Sequence, residues 1–257
     1  MDSVGQSYKW KLENSYNNKN IEAWDITPLE EVIVSDKGAL YKLDTNFQLA
    51  FTQSKKGFGT ITKIDARHSL KTLIYSVSHQ MIGFVDNTLS FQDGKIDLSA
   101  LYIGYGTQVC YSDQTSRFWV FDEQNARLVR FEGLQSSVAQ SEISNLMSIT
   151  YSDDPTSLIE SQNQLFLFYE SAGIFVFDYY GSLLRKYPYE DAIQIYPTEK
   201  YLYILRESTI VRLDRRSDME ESIELPKSGI EDLRVFGNLV YFKDKNGVSK
   251  YSLIHSK

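Results

Sequence analysis

Five aspartates close apolar runs in this chain: ALYKLD at Asp44, MIGFVD at Asp86, FWVFD at Asp122, IFVFD at Asp178 and TIVRLD at Asp214. Repeated carboxylates can ligate a cation, move protons or start turns. An aspartate side chain accepts a hydrogen bond from backbone two residues on, so one that ends a strand is expected to open the turn that follows. The five stand at equivalent positions, too far apart to share an ion. His68, His79 and His255 are scattered, with no HExxH and no close pair at metal-ligand spacing. Cys110, the single cysteine, sits in TQVCYS; it excludes an intrachain disulfide and is expected to be buried and inert. GYGT at 104–107 lacks the following helix of a phosphate loop, and no GxSxG elbow occurs. YSDQTSRFW, Tyr111 to Trp119, echoes the Asp-box of sialidases without its glycine or spacing.

No catalytic, metal or cofactor-binding residue is therefore assigned, and no cofactor is expected. The partner-binding candidates are Tyr179 and Tyr180, after Asp178, and Arg215 and Arg216, after Asp214. These turns are expected side by side on one face. Tyr and Arg are favoured at binding hot spots, with solvated turn residues the competing reading.

The aspartates mark an internal repeat. Their steps are 42, 36, 56 and 36 residues, and a degenerate copy, VSKYS, reaches Ser252 after 38 more. A period near forty indicates stacked four-stranded units. VIVSDKGALYKLD, LFLFYESAGIFVFD and YLYILRESTIVRLD are three copies of one hairpin with polar turns. Amphipathic outer strands are expected after the aspartates, in FQLAFTQ, ARLVRFE and SLLRKYP, and inner strands in ITKIDA, AIQIYP and IEDLRVF.

The fold class is all-β: a six-bladed β-propeller of four-stranded antiparallel blades, one domain over 1–257. The last hairpin, NLVYFKDKNGVSKYSLI, ends almost at the C-terminus. Its outer strand is expected from SYKWKLEN, within an N-terminal closing segment at 1–19, which removes two open edges. The long step after Asp122 is read as an insertion at 134–150. Within GLQSSVAQSEISNLM, Ala139, Ile143, Leu146 and Met147 have helical spacing.

Tyr and Phe, 18 and 14 residues, suit broad packed sheets. A net charge of −7 opposes nonspecific nucleic-acid binding, which needs a basic footprint. No apolar run reaches membrane-spanning length. The opening MDSVGQSYKWKLEN has no signal-peptide pattern, which leaves a cytoplasmic protein or an exported one without its leader.

IDARHSLKTLIYSVSHQMIGFVDNTLS, IDLSAL, FWVFDEQNARLVRF and above all GIFVFDYYGSLL resemble a group of exported propeller proteins of Bacteroidota, over about residues 20 to 250. The resemblance implies a periplasmic location. A further similarity is to the plug component of the type IX secretion translocon, which implies a large outer-membrane barrel as partner. On this reading the chain is a non-enzymatic interaction module, monomeric by itself. The alternative is a carbohydrate-binding or hydrolytic propeller that uses its central channel. It requires carboxylates, Arg and His to converge there, with Asp65 and Asp232 the places to look. A cytoplasmic scaffold rests only on the missing leader.

Overall fold

The computed structural model describes residues 8–255 except 56, 69, 115, 133–138 and 153, together with the backbone but not the side chains of Asp93 and His255. The first seven residues and the segment 133–138, parts of the expected closing segment and insertion, lie outside the described residues.

Six four-stranded antiparallel sheets form the blades of a β-propeller. The strands of each blade are named a to d in sheet order. Blade 1 comprises Ala23–Ile26, Val32–Asp36, Ala39–Leu43 and Leu49–Ser54; blade 2 Lys63–Asp65, Thr72–Ser76, Met81–Val85 and Phe91–Asp97. Blade 3 comprises Gly106–Tyr111, Arg117–Asp122, Arg127–Glu132 and Ala139–Ile143; blade 4 Ser157–Ser161, Gln164–Tyr169, Gly173–Phe177 and Leu183–Tyr187. Blade 5 comprises Gln194–Pro197, Tyr201–Leu205, Thr209–Asp214 and Glu220–Glu224. In blade 6, Ile230–Phe236, Leu239–Asp244 and Gly247–His255 are joined by the N-terminal strand Tyr8–Asn17 as strand d.

The chain divides into two compact units. One holds blades 1 to 4, residues Asn20–Asp191. The other holds blades 5 and 6, from Met1–Lys19 and Ala192–Lys257. The N-terminal strand pairs antiparallel with Gly247–His255, from Tyr8 opposite His255 to Asn17 opposite Gly247, as the repeat count requires. A bulge interrupts this register between Leu12 and Asn14.

The central strands are nearly continuous apolar runs because both faces of a blade are covered. Side chains alternate across a strand, so Phe118 and Val120 pack toward blade 2 with Tyr75, Ile82 and Phe84. Trp119 and Phe121 pack the other way, with Leu158, Leu165 and Phe175 of blade 4. Blades 1 and 2 share a core around Phe58, Ile64 and Ile74, and blades 5 and 6 share one around Leu205, Leu233 and Phe242.

The structure corrects three strand-level expectations. FWVFD is strand b of blade 3, not strand c, and ARLVRFE supplies strand c rather than the outer strand. Strand c of this blade ends on Glu132, so the acid-ended run was matched one strand early. With Glu132 in place of Asp122 the steps become equal, 46 residues on each side (132 − 86 and 178 − 132). The expected helix is also displaced. Ala139–Ile143 is the missing strand d of blade 3, and only Leu146–Thr150 is helical. Ladder pairing with strand c, Leu128 opposite Ile143, overrides the helical spacing there. The segment 134–150 is therefore in part the outer strand of a blade.

Candidate functional site

Four of the five repeated aspartates are turn formers. One carboxylate oxygen, Oδ1, accepts two backbone N–H bonds in each case: from Asn46 and Gln48 at Asp44, from Thr88 and Ser90 at Asp86, from Tyr180 and Ser182 at Asp178, and from Arg216 and Ser217 at Asp214. Asp122 departs from the expectation, because it ends strand b rather than strand c. It is fully buried, and its oxygens accept from the Gly104 and Tyr105 N–H groups, from Asn125 and from Arg127 Nε at 3.0 Å. Burial works to raise its pKa, but these donors outweigh burial and hold it below the usual range.

Strand a carries a second set of acids that couples neighbouring blades. Asp25 accepts from the Ala66 N–H at 2.7 Å, and Asp65 from the Tyr111 N–H at 2.9 Å. Glu160 accepts from the Asp113 N–H at 2.7 Å. Each bond spans two adjacent blades and satisfies a backbone donor that a sheet end leaves open. Asp25 and Glu160 are the penultimate residues of their a strands and Asp65 the last of its own, a placement that the sequence shows without showing which backbone each acid meets.

Around two of these acids, blades 2, 3 and 4 gather polar side chains. Arg67 donates from Nε to Asp65 at 2.9 Å and from Nη1 to the Glu160 carbonyl at 2.7 Å, with Asp113 at 3.4 Å. Burial works against the Asp65 carboxylate, yet the Arg67 charge and the Tyr111 N–H hold its pKa low. His68 packs edge-on against Tyr111, and burial pushes its pKa down. Glu160 also accepts from Ser112, from Trp119 Nε1 at 2.5 Å and from the Tyr179 hydroxyl at 2.5 Å. Asp113 takes the Asn163 N–H on its other oxygen. Asp65, Asp113 and Glu160 thus each have donors on both carboxylate oxygens. Among the described residues no group of three or more His, Cys, Asp or Glu could hold a metal. Cys110 is buried, and burial raises its thiol pKa. Asp232, on strand a of blade 6, bonds to Arg234 and to the Leu233 N–H.

The four partner-binding candidates differ in accessibility. Tyr179 is half-buried: its hydroxyl bonds to Glu160 and Asn163, and its ring stacks on Trp119 at 6.4 Å. Burial first, and then the Glu160 bond, raise its pKa. Tyr180 is 92% exposed. In the second unit Arg215 bonds to the Thr198 carbonyl, and Arg216 is exposed. Thr198 borders a cleft of about 560 Å³ between blades 5 and 6, where Tyr8, Trp10, Tyr201 and Arg212 line the walls.

No family model matches the chain, and no curated protein matches it. Solved structures do. A catalytically inactive H270A virginiamycin B lyase from Staphylococcus aureus, crystallised with quinupristin, superposes with a TM-score of 0.64 at 10% identity, covering 96% of this chain and 100% of that one. A streptogramin B lyase gives 0.64 at 12% identity, over 96% and 98%. PorZ, described as an essential bacterial surface component of the type-IX secretion system of Porphyromonas gingivalis, gives 0.52 at 14% identity, over 96% of this chain and 39% of PorZ. Identities this low establish a shared fold alone, and what the chain has in common with these proteins is that fold.

Proposed function

We propose that the chain is a non-catalytic propeller that docks another protein at the bacterial cell envelope, on the periplasmic side. The observation that carries this reading is the use made of the acids on strand a and in the turn after it. The carboxylates best suited to acid–base work, Asp65, Asp113 and Glu160, all hold blades or turns together. Large side chains stand out on the surface instead, with Tyr180, Tyr151 and Tyr102 between 83% and 92% exposed. The finer reading is a plug or accessory subunit of the type IX translocon. It is supported by the resemblance of GIFVFDYYGSLL and FWVFD to exported Bacteroidota propellers.

Affinity purification of the tagged chain from native membranes tests the proposal. A stoichiometric envelope protein is expected, with capture weakened about tenfold by Tyr180→Ala or Arg216→Ala. Recovery of a free monomer alone would overturn it. The competing reading, a sugar-binding or hydrolytic propeller, draws on the gathering of Asp65, Arg67, His68, Asp113 and Glu160. Turnover of a glycoside abolished by Asp113→Asn would establish it.

A further inference from the structure

In the first unit the Arg130 guanidinium has two buried nitrogens without a hydrogen-bond partner. In blade 3 the ladder lines up Cys110, Trp119, Arg130 and Ser141 across strands a to d, on the face turned to blade 4. Cys110 and Trp119 are fully buried and Arg130 is half-buried, so the row runs from core to rim. The Arg130 guanidinium lies over the Trp119 ring at 5.2 Å and the Tyr179 ring at 5.1 Å. Its Nε and Nη1 are buried without a hydrogen-bond partner. Directly across the strand pair, the buried Ser141 hydroxyl has none either.

Unsatisfied buried donors are uncommon, and a charged one is costly. The Glu160 charge attracts the guanidinium but accepts no hydrogen bond from its Nε or Nη1; the Glu160 oxygens accept from Trp119 and Tyr179 at the edges of the same two rings. Arg117, two residues before Trp119 on strand b, adds a second positive charge near Arg130; it is itself paired loosely with Glu132 at 3.9 Å and bonded to Gln114 Oε1. The site therefore combines a planar donor fork, held in orientation by two aromatic faces, with a facing hydroxyl and a second cation. That set matches a group with several acceptor lone pairs and negative charge.

We propose that Arg130 is the centre of an oxyanion-binding site at the seam of blades 3 and 4, taking a carboxylate, sulfate or phosphate group. Such a group could come from an acidic side chain of a protein or from a free anion. The site does not depend on the docking role, because it is built wholly from groups of this chain.

Sodium sulfate and an end-blocked Gly-Asp-Gly peptide are the probes, each titrated at constant ionic strength. Tryptophan emission and thermal melting are the two readouts, since Trp119 touches the guanidinium. The wild-type protein is expected to show a saturable emission change with half-saturation at about 1 mM or below. A matching rise in melting temperature should accompany it. Arg130→Met should melt at or above the wild-type temperature without anion and lose the saturable response. Arg130→Lys, which keeps the charge and loses the fork, should bind several-fold more weakly. Tighter binding of the peptide assigns the group to a protein side chain; tighter binding of sulfate assigns it to a free tetrahedral anion. A response that is linear, or equal in wild type and Arg130→Met, overturns the proposal. So does strong destabilisation by Arg130→Met together with an unchanged sulfate response in Arg130→Lys, which would make Arg130 a packing pillar only.

Discussion

Glu160 is the residue on which most of the polar order in blades 3 and 4 converges. It accepts from Ser112, the Asp113 N–H, Trp119 and Tyr179, so truncation leaves several buried donors without an acceptor. Glu160→Ala is expected to destabilise the first unit by about 3 kcal/mol or more, measured by urea unfolding, with Glu160→Gln costing less because one acceptor oxygen remains. Nothing in KID or LIE reveals this role. A carboxylate at the end of a short strand reads equally as a channel-lining group, and which backbone it meets depends on the neighbouring blade. The strand c aspartates were legible because an Asx turn is local, its donors lying two to four residues on.

At the scale of the element, the N-terminal strand is the piece whose pairing depends on the far end of the chain. Removing residues 1–14 strips most of strand d from blade 6 and opens the edge of Gly247–His255. The melting temperature of the second unit is expected to fall, read by circular dichroism, and an unchanged melt would refute the closure. Gly247 provides a finer probe. Its φ is +144°, and a Cβ there would meet the Tyr16 carbonyl oxygen at 2.0 Å. Gly247→Ala should cost about 2 kcal/mol or more through strain and lost pairing. Blade 3 shows where sequence reading loses the element. Two consecutive apolar runs both end in an acid, FWVFD and RLVRFE, and only the register separates strand b from strand c.

For the whole molecule, acid is the informative perturbation. Asp65, Asp86, Asp122, Asp178, Asp214 and Asp244 all have pKa values lowered in the folded state. For Asp214 backbone hydrogen bonds are the leading cause; for the other five, burial opposes the shift and hydrogen bonds or neighbouring cations overcome it. The unfolded chain then binds more protons than the folded one at acid pH. The stabilisation is complete above the unfolded carboxylate pKa of about 4 and is lost as pH falls below it toward the folded values. A melting temperature that is flat above about pH 5 and falls steeply toward pH 2 is expected, and Asp122→Asn should flatten that fall. The net charge of −7 predicts a monomer by light scattering. By itself the sequence determined the class of fold, the count of six blades and the borrowing of a strand from the N-terminus, because period and alternation are properties of the chain. Only the tertiary structure decided that the strand a acids clamp adjacent blades, that Tyr179 is held while Tyr180 is exposed, and that two buried nitrogens of Arg130 have no hydrogen-bond partner. Those facts depend on distances between residues far apart in sequence, which no local pattern encodes.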